Sequence, residues 1–173
     1  ITAEMLAPIL ARADRQPDKI RDAAADLGTR IHAAIDAYIV GKVVELDADA
    51  QQGFDNFMRW VKQESLQLVQ GDTAVASVKH GYGGKLDALA INAEGNLIVL
   101  DWKTSNALRE TYPLQVAAYA QAFEETFNLP INGAIVVRFG KDDPGDFEAR
   151  PINRSASWTA FLAALDLFKA MKT

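Results

Sequence analysis

The chain has 173 residues, of which 49% are hydrophobic and 24% are charged, and its formal net charge is −5 at pH 7. This composition supplies enough apolar surface for one globular domain and excludes a disordered or collagen-like chain. The negative net charge argues against a protein that coats nucleic acid nonspecifically, because such proteins carry a basic surface. The absence of cysteine excludes disulfides, thiolate zinc sites and iron–sulfur clusters.

The chain carries no sequence signal for a membrane or for secretion. No stretch contains the ~20 apolar residues that a membrane-spanning helix needs. The first residues lack the basic and apolar segments of a secretory signal. We therefore expect a cytoplasmic protein without a membrane partner.

Apolar residues at helical spacing predict helices at both ends of the chain and one in between. The first three cover Met5 to Ala13, residues 18–40 with Gly41 as a stop, and Asp47 to Glu64. A fourth is predicted over Tyr112 to Phe127, with Pro113 suited to its first turn. The last covers Ser157 to Met171, with Trp158, Phe161, Leu162, Leu165 and Phe168 facing inward.

Short segments rich in β-branched residues predict strands between these helices. They cover Leu66–Val69, Val75–Lys79, Lys85–Ile91, Leu97–Lys103, Ile135–Phe139 and Phe147–Ile152. The order of elements indicates an α/β fold with a central mixed β-sheet flanked by helices. We expect a single domain over residues 1–173, with a helical part at 1–64 and an α/β core at 65–173.

The strand at Leu97–Lys103 ends in an acid, a spacer and a lysine. Residues two apart on a strand point to the same side, so Asp101 and Lys103 are predicted to share a face. A carboxylate and an amine at the end of a buried strand are costly unless they have partners or a function. This pair is therefore the first candidate for a chemical site.

A second acid is predicted to lie opposite the first. A three-residue hairpin loop at residues 93–95, with Gly95 in the left-handed position, pairs Leu89 with Val99 and Asp87 with Asp101. A two-residue turn at Glu94-Gly95 would instead shift the partner by one residue and place Asp87 on the other side of the sheet. Opposed carboxylates destabilise a sheet unless something compensates. A divalent cation or one shared proton would do so. Alternatively, both acids lie at strand ends in solvent and Lys103 is an ordinary salt-bridge partner.

Three short motifs follow one another through this region, and a fourth precedes them. They are Gly84-Lys85-Leu86-Asp87, Asp101-Trp102-Lys103, Gln115 with Tyr119 four residues later, and Gly28 to His32 continuing to Asp36. In this order they resemble the PD-(D/E)XK nuclease superfamily, and within it the RecB-like branch with a Gln-x-x-x-Tyr motif. The resemblance implies a restriction-endonuclease-like fold in which residues 65–173 form the catalytic core and residues 1–64 carry the histidine motif.

The resemblance also implies roles for the matching residues. Asp87, Asp101, the backbone carbonyl of Trp102 and His32 would bind Mg²⁺ or Mn²⁺, and the imidazole would favour Mn²⁺. Lys103 would orient the attacking water or stabilise the transition state. Gln115 and Tyr119, one helical turn apart, would reach the lysine or a substrate phosphate. The chain departs from the pattern of this branch in two ways. It lacks the cysteines that bind an iron–sulfur cluster in some members, and it has Asp36 where glutamate is frequent.

The resemblance to members of this branch without an iron–sulfur cluster implies a metal-dependent DNA exonuclease that acts on DNA ends or single strands. We expect it in the cytoplasm or at the nucleoid, with a role in repair or recombination. No basic helix suited to a major groove is visible, which argues against sequence-specific cleavage. Two alternatives remain open at the level of sequence. One is a non-catalytic nucleic-acid-binding module on the same fold within a larger complex. The other is a metal-dependent hydrolase with a different substrate.

Overall fold

A computed structural model describes residues 27–172. In that range the elements are α1 (residues 27–39), α2 (Ala48–Gln63), β1 (Gln67–Ser77), β2 (Tyr82–Ile91), β3 (Leu97–Thr104), α3 (Thr111–Phe127), β4 (Gly133–Phe139), β5 (Phe147–Pro151) and α4 (Arg154–Ala170). None of these helices combines the length and apolarity that crossing a bilayer requires.

The five strands form one sheet in the order β1-β2-β3-β4-β5. All neighbours are antiparallel except β3 and β4, which run parallel and are joined by the crossover helix α3. Because β3 and β4 are parallel, the loops that follow them emerge at the same edge of the sheet. The predicted α/β fold with a mixed sheet between helices is confirmed, and it is the restriction-endonuclease-like arrangement.

Each face of the sheet is covered by its own apolar core. On one face, α1 and α2 pack against β2, β3 and β4 through residues such as Ile31, Phe57 and Trp102. On the other, α3 packs through Val116 and Phe123. Burial on both faces explains why the central strand β3 reads as a nearly continuous apolar run until Asp101.

The hairpin between β2 and β3 has the predicted geometry. The Asn92 N–H donates to the Asn96 carbonyl at 3.1 Å, and Gly95 has a φ of +79°. Leu89 pairs with Val99 as expected. The loop therefore fixes the register that brings Asp87 level with Asp101.

Two predictions about element boundaries and faces were wrong. The strands predicted at Leu66–Val69 and Val75–Lys79 are one strand, β1, with an irregularity after Leu68. Its polar middle looked like a turn, but an edge strand tolerates polar residues because one side faces solvent. On α4, which packs on α3, Phe168 is 54% exposed rather than inward-facing.

The remaining predicted elements agree with the structure where it describes them. Residues 27–39 are helical, as expected for that part of the segment 18–40, and Gly41 follows with a φ of +72°. The helix predicted over Met5 to Ala13 lies outside the described residues. The division into a helical part and an α/β core at residue 64 stays a prediction.

Candidate active site

The site lies where β2 and β3 separate. Their ladder ends at the pair Ala88–Leu100, one residue short of the two acids. Beyond it, the Asp87 carboxylate accepts a hydrogen bond from the backbone N–H of Trp102 at 2.7 Å. The side chain of Asp87 thus takes the place of a strand partner, and the structure brings it beside Asp101 as predicted from the register.

Asp101 is the most deeply buried acid of the site. It is 1% exposed, and Lys103 Nζ lies 2.5 Å from its Oδ2. The two groups thus form a buried ion pair. Burial raises the pKa of Asp101 to about 6; the Lys103 charge opposes this shift and the Asp87 charge adds to it. Burial likewise raises the pKa of Asp87, against the hydrogen bond from Trp102.

His32 reaches the same region from α1. Its ring lies 6.3 Å from that of Trp102 in an edge-on arrangement. Burial lowers the pKa of His32 to about 4; the Asp101 charge works against this shift and the Lys103 charge adds to it. The imidazole is therefore neutral at neutral pH, the form in which histidine binds metals.

Glycine at the start of the histidine motif lets α1 approach the end of β3. A Cβ atom on Gly28 would lie 2.3 Å from Thr104 Oγ1, a distance that no packed side chain tolerates. The motif therefore has a steric component as well as a chemical one. A larger residue at position 28 would push His32 away from the acids.

The two acids fit a hydrated divalent cation better than a closed protein cage. Among residues 27–172, no group of three or more His, Cys, Asp or Glu side chains is placed to hold a metal ion. Mg²⁺, however, usually keeps several waters and uses only one or two carboxylates together with substrate oxygens. Asp87 and Asp101 supply such a pair. Burial raises the pKa of both, and a bound cation would offset the cost of ionising two neighbouring buried carboxyl groups.

Gln115 and Tyr119 form a unit of their own on α3. The Gln115 amide donates to the Tyr119 hydroxyl at 2.8 Å, and neither residue hydrogen-bonds to Lys103. Tyr119 instead packs on β2, where a Cβ atom at Gly84 would lie 2.5 Å from its ring. The aromatic neighbour of Lys103 is Tyr112, whose ring centroid lies 5.5 Å from Nζ. The sequence did not indicate this contact.

Lys103 opens into a cleft of about 730 Å³ with a cationic lining. The other cations that line it are Arg109, from the loop after β3, and Lys141, from the loop after β4. The sequence signal for Lys141 is topological, since two parallel neighbouring strands deliver the residues that follow them to one edge. Three cations around one concave surface favour a polyanionic ligand. The Trp102 side chain, in contrast, is 2% exposed and belongs to the core.

One buried arginine anchors both loops of this cleft. Arg138 on β4 donates to the Ser105 carbonyl at 3.0 Å and to the two carboxylate oxygens of Asp146 at 2.6 and 2.7 Å. It thereby ties the loop after β3 to the loop after β4. Sequence reasoning missed this residue because its partners, Ser105 and Asp146, come from two segments that are distant along the chain.

Comparisons with known proteins give a consistent result. A family model described as the PD-(D/E)XK nuclease superfamily matches residues 9–169. A search of curated proteins found no significant match. A candidate exonuclease from Eubacterium rectale has a similar structure, with a TM-score of 0.54 and 12% identity over 82% of this chain and 64% of its own.

A repair endonuclease from Pyrococcus abyssi also matches, with a TM-score of 0.34 and 16% identity over 56% of this chain and 40% of its own. The chain thus spans less than two thirds of the length of either structure. At these identities, the likeness to the Eubacterium rectale protein is a likeness of fold.

Proposed function

The chain belongs to the PD-(D/E)XK nuclease superfamily, and we propose that it is a divalent-metal-dependent DNA nuclease acting as an exonuclease on DNA ends or single strands. One observation carries the proposal. The buried Asp101–Lys103 pair, with Asp87 beside it, lies at the edge of a cleft. Within the described part of the chain, the charged side chains that line this cleft are three cations, Lys103, Arg109 and Lys141. A phosphodiester backbone is the ligand whose charge matches such a cleft.

In this proposal, Asp87 and Asp101 would hold a Mg²⁺ or Mn²⁺ ion, with the Trp102 carbonyl as a further ligand. The His32 imidazole, which the resemblance implies as a ligand, does not form a metal-holding group with the two acids in residues 27–172, so it is not assigned to the ion. Once bound, the ion supplies Lewis-acid polarisation of the phosphate and acidification of a water. Lys103 contributes a fixed positive charge where negative charge develops. Arg109 and Lys141 hold neighbouring phosphates and so orient the strand.

The apolar surroundings strengthen these electrostatic interactions. The Lys103 side chain is 17% exposed, and Trp102 and Phe57 close the other side of the strand. In such a weakly screened environment, a fixed ammonium stabilises developing charge more effectively than it does in water. Repair and recombination are the processes in which we propose that such an activity serves.

The test uses linear DNA labelled at one end and closed circular DNA, each incubated with Mg²⁺, Mn²⁺ or a chelator. We expect loss of the linear substrate from its ends, an intact circle and no cleavage with chelator. Nicking of the circle would identify an endonuclease instead. Binding without cleavage under every condition would contradict the proposal in favour of a non-catalytic module.

A further inference from the structure

A second cavity lies next to the cationic cleft, between the start of β2, α3 and α4. It has a volume of about 520 Å³, within the range of ~300–1,000 Å³ that is typical of small-ligand sites. We call it the aromatic pocket, because its lining includes four rings, those of Tyr82, Tyr112, Tyr119 and Phe161, together with Leu165 and the amide of Gln115. None of the roles proposed above uses this cavity.

The aromatic pocket adjoins the cleft. Tyr112 lines both cavities, and Lys103 Nζ lies 5.5 Å from the centroid of its ring. A phosphate bound by Lys103 therefore places the neighbouring part of its nucleotide beside Tyr112. Phosphate-binding cations on one side and aromatic rings on the other are the two features with which proteins bind single strands.

The rings of the pocket are held in position by the protein itself. The Tyr82 hydroxyl donates to the Ala118 carbonyl at 2.9 Å, and its ring meets Phe161 edge-on at 4.9 Å. Tyr119 is fixed between Gly84 and the Gln115 amide. A site whose rings are already ordered loses little conformational entropy when a flat ligand enters.

The pocket also presents a polar group. Gln115 donates its amide N–H to Tyr119, while its amide oxygen accepts no hydrogen bond from any residue in the part of the chain that the structure describes. An amide oxygen beside aromatic rings suits the edge of an unpaired base, which carries N–H donors. An apolar peptide side chain would leave this oxygen without a partner.

We propose, on the basis of the nuclease function above, that the aromatic pocket binds one unpaired base of a single-stranded substrate while the cleft holds the adjacent phosphates. A base in a duplex is stacked and paired, so it would have to leave the helix to enter. The pocket thus makes the protein selective for single strands or frayed ends.

The test measures binding without cleavage. Fluorescence anisotropy in the presence of a chelator compares a labelled single-stranded DNA with an abasic strand of equal length and charge. We expect the strand with bases to bind about 5- to 150-fold more tightly, the range that stacking of one base contributes. Tyr112→Ala should lose most of this preference, whereas Tyr112→Phe, which keeps the ring, should retain it.

Two further variants separate the pocket from general effects on folding. Leu165→Trp fills the pocket from α4 without altering Tyr112, and it should also lose the preference. Tyr38→Ala changes a 49% exposed tyrosine on α1 that lines neither cavity, and it should bind like the wild type. Thermal unfolding of each variant confirms that it is folded.

The outcomes distinguish this inference from the proposed function. Equal affinity for both strands, including undetectable binding of either, would overturn the inference, as would an unchanged preference in both Tyr112→Ala and Leu165→Trp. A protein that cleaves end-labelled DNA without a preference for bases overturns only the pocket. A protein that prefers bases but never cleaves overturns only the nuclease activity.

Discussion

Two cations occupy paired positions on neighbouring strands and have very different surroundings. Lys103 on β3 and Arg138 on β4 are register partners in the parallel ladder, and both are largely buried. Arg138 is almost fully used, since its guanidinium contacts Asp146, Glu148 and the Ser105 carbonyl. Among the described residues, Lys103 forms one ion pair, with Asp101, and its ammonium lies over the ring of Tyr112.

The acids differ in the same way. Asp146 receives two aligned hydrogen bonds from Arg138, and these lower its pKa. Asp101 pairs with one ammonium, that of Lys103, and burial raises its pKa to about 6. A structural ion pair engages the hydrogen-bonding groups of both partners. A pair that also binds a ligand leaves some of these groups available to that ligand. We therefore interpret Arg138 with Asp146 as a structural anchor, and Lys103 with Asp101 on the neighbouring strand as the candidate reaction site.

The strongest test of this difference is Asp101→Asn. The amide preserves the shape of the side chain but removes the charge that would hold a cation, so we expect cleavage of linear DNA to fall by at least about 10²–10³-fold. Gel assays with Mg²⁺ and Mn²⁺ measure the rate. Asp55→Asn, on the exposed surface of α2, serves as control. Undiminished cleavage by the first variant would refute the metal-site assignment.

Replacing the lysine should separate catalysis from metal binding. Lys103→Met keeps the apolar stem but loses the charge, and we expect the cleavage rate to fall by about 10²-fold. Mn²⁺ binding, measured by calorimetry, should be retained because the carboxylates remain. Lys62→Met, in the last turn of α2, should change neither quantity. Loss of Mn²⁺ affinity in Lys103→Met would mean that the lysine acts by organising the acids.

Replacing the anchor should affect stability first. Arg138→Met leaves the Ser105 carbonyl without its donor, and we expect the free energy of unfolding in urea to fall by about 1–3 kcal/mol. The acid partners are partly exposed, which limits the loss. Arg150→Met is the matched control, since it shares Glu148 but is 60% exposed, and it should cost no more than ~1 kcal/mol. Equal losses in the two variants would remove the distinction between anchor and surface pair.

A third ion pair, between Glu124 and Arg154, is expected to make the stability of the fold depend on pH. Burial acts to raise the pKa of Glu124, but hydrogen bonds from Arg154 and the Ile131 N–H, with the Arg154 charge, lower it below its ordinary value of 4.5. A lowered carboxylate pKa stabilises the folded state above the ordinary value, and this stability is lost as the pH falls through the folded value.

We therefore expect Glu124→Gln to reduce the free energy of unfolding by about 1–2 kcal/mol near pH 7 and by progressively less as the pH falls below 4.5. Urea unfolding at a series of pH values measures the difference from the wild type. Glu45→Gln, in the exposed segment between α1 and α2, should show no such trend. A difference that stays constant with pH would show that the charge of Glu124 contributes nothing.

Much of the fold could be predicted because its signals are local. The hairpin register followed from Gly95 and the length of its loop, and helix α3 followed from apolar spacing with Pro113 in the first turn. The long edge strand β1 was missed because its central polar residues are stabilised by neighbours distant in sequence. Lys85, for example, pairs with Asp72 at 2.6 Å.

In the candidate site, too, the contacts between residues close in sequence could be predicted and those between distant segments could not. The motifs identified Asp87, Asp101 and Lys103, which are close along a hairpin, and the structure brings them together. Gln115 and Tyr119 hydrogen-bond to each other and not to Lys103, so their predicted contact with the lysine or a phosphate stays a prediction. The contact of Tyr112 with that lysine was not foreseen. The orientation of a helix over a sheet depends on packing between distant segments, which a spacing along one chain does not encode.

The sequence by itself determined the class of the fold, the register of the central hairpin and the identity of the acids and lysine at its end. These depend on backbone preferences and on side-chain alternation within a few residues. Only the tertiary structure decided which cations line the cleft, that Arg138 anchors its loops, and that a pocket of rings adjoins it. Each of these arises where segments far apart in the chain meet, because burial and charge pairing are optimised in space and not along the sequence.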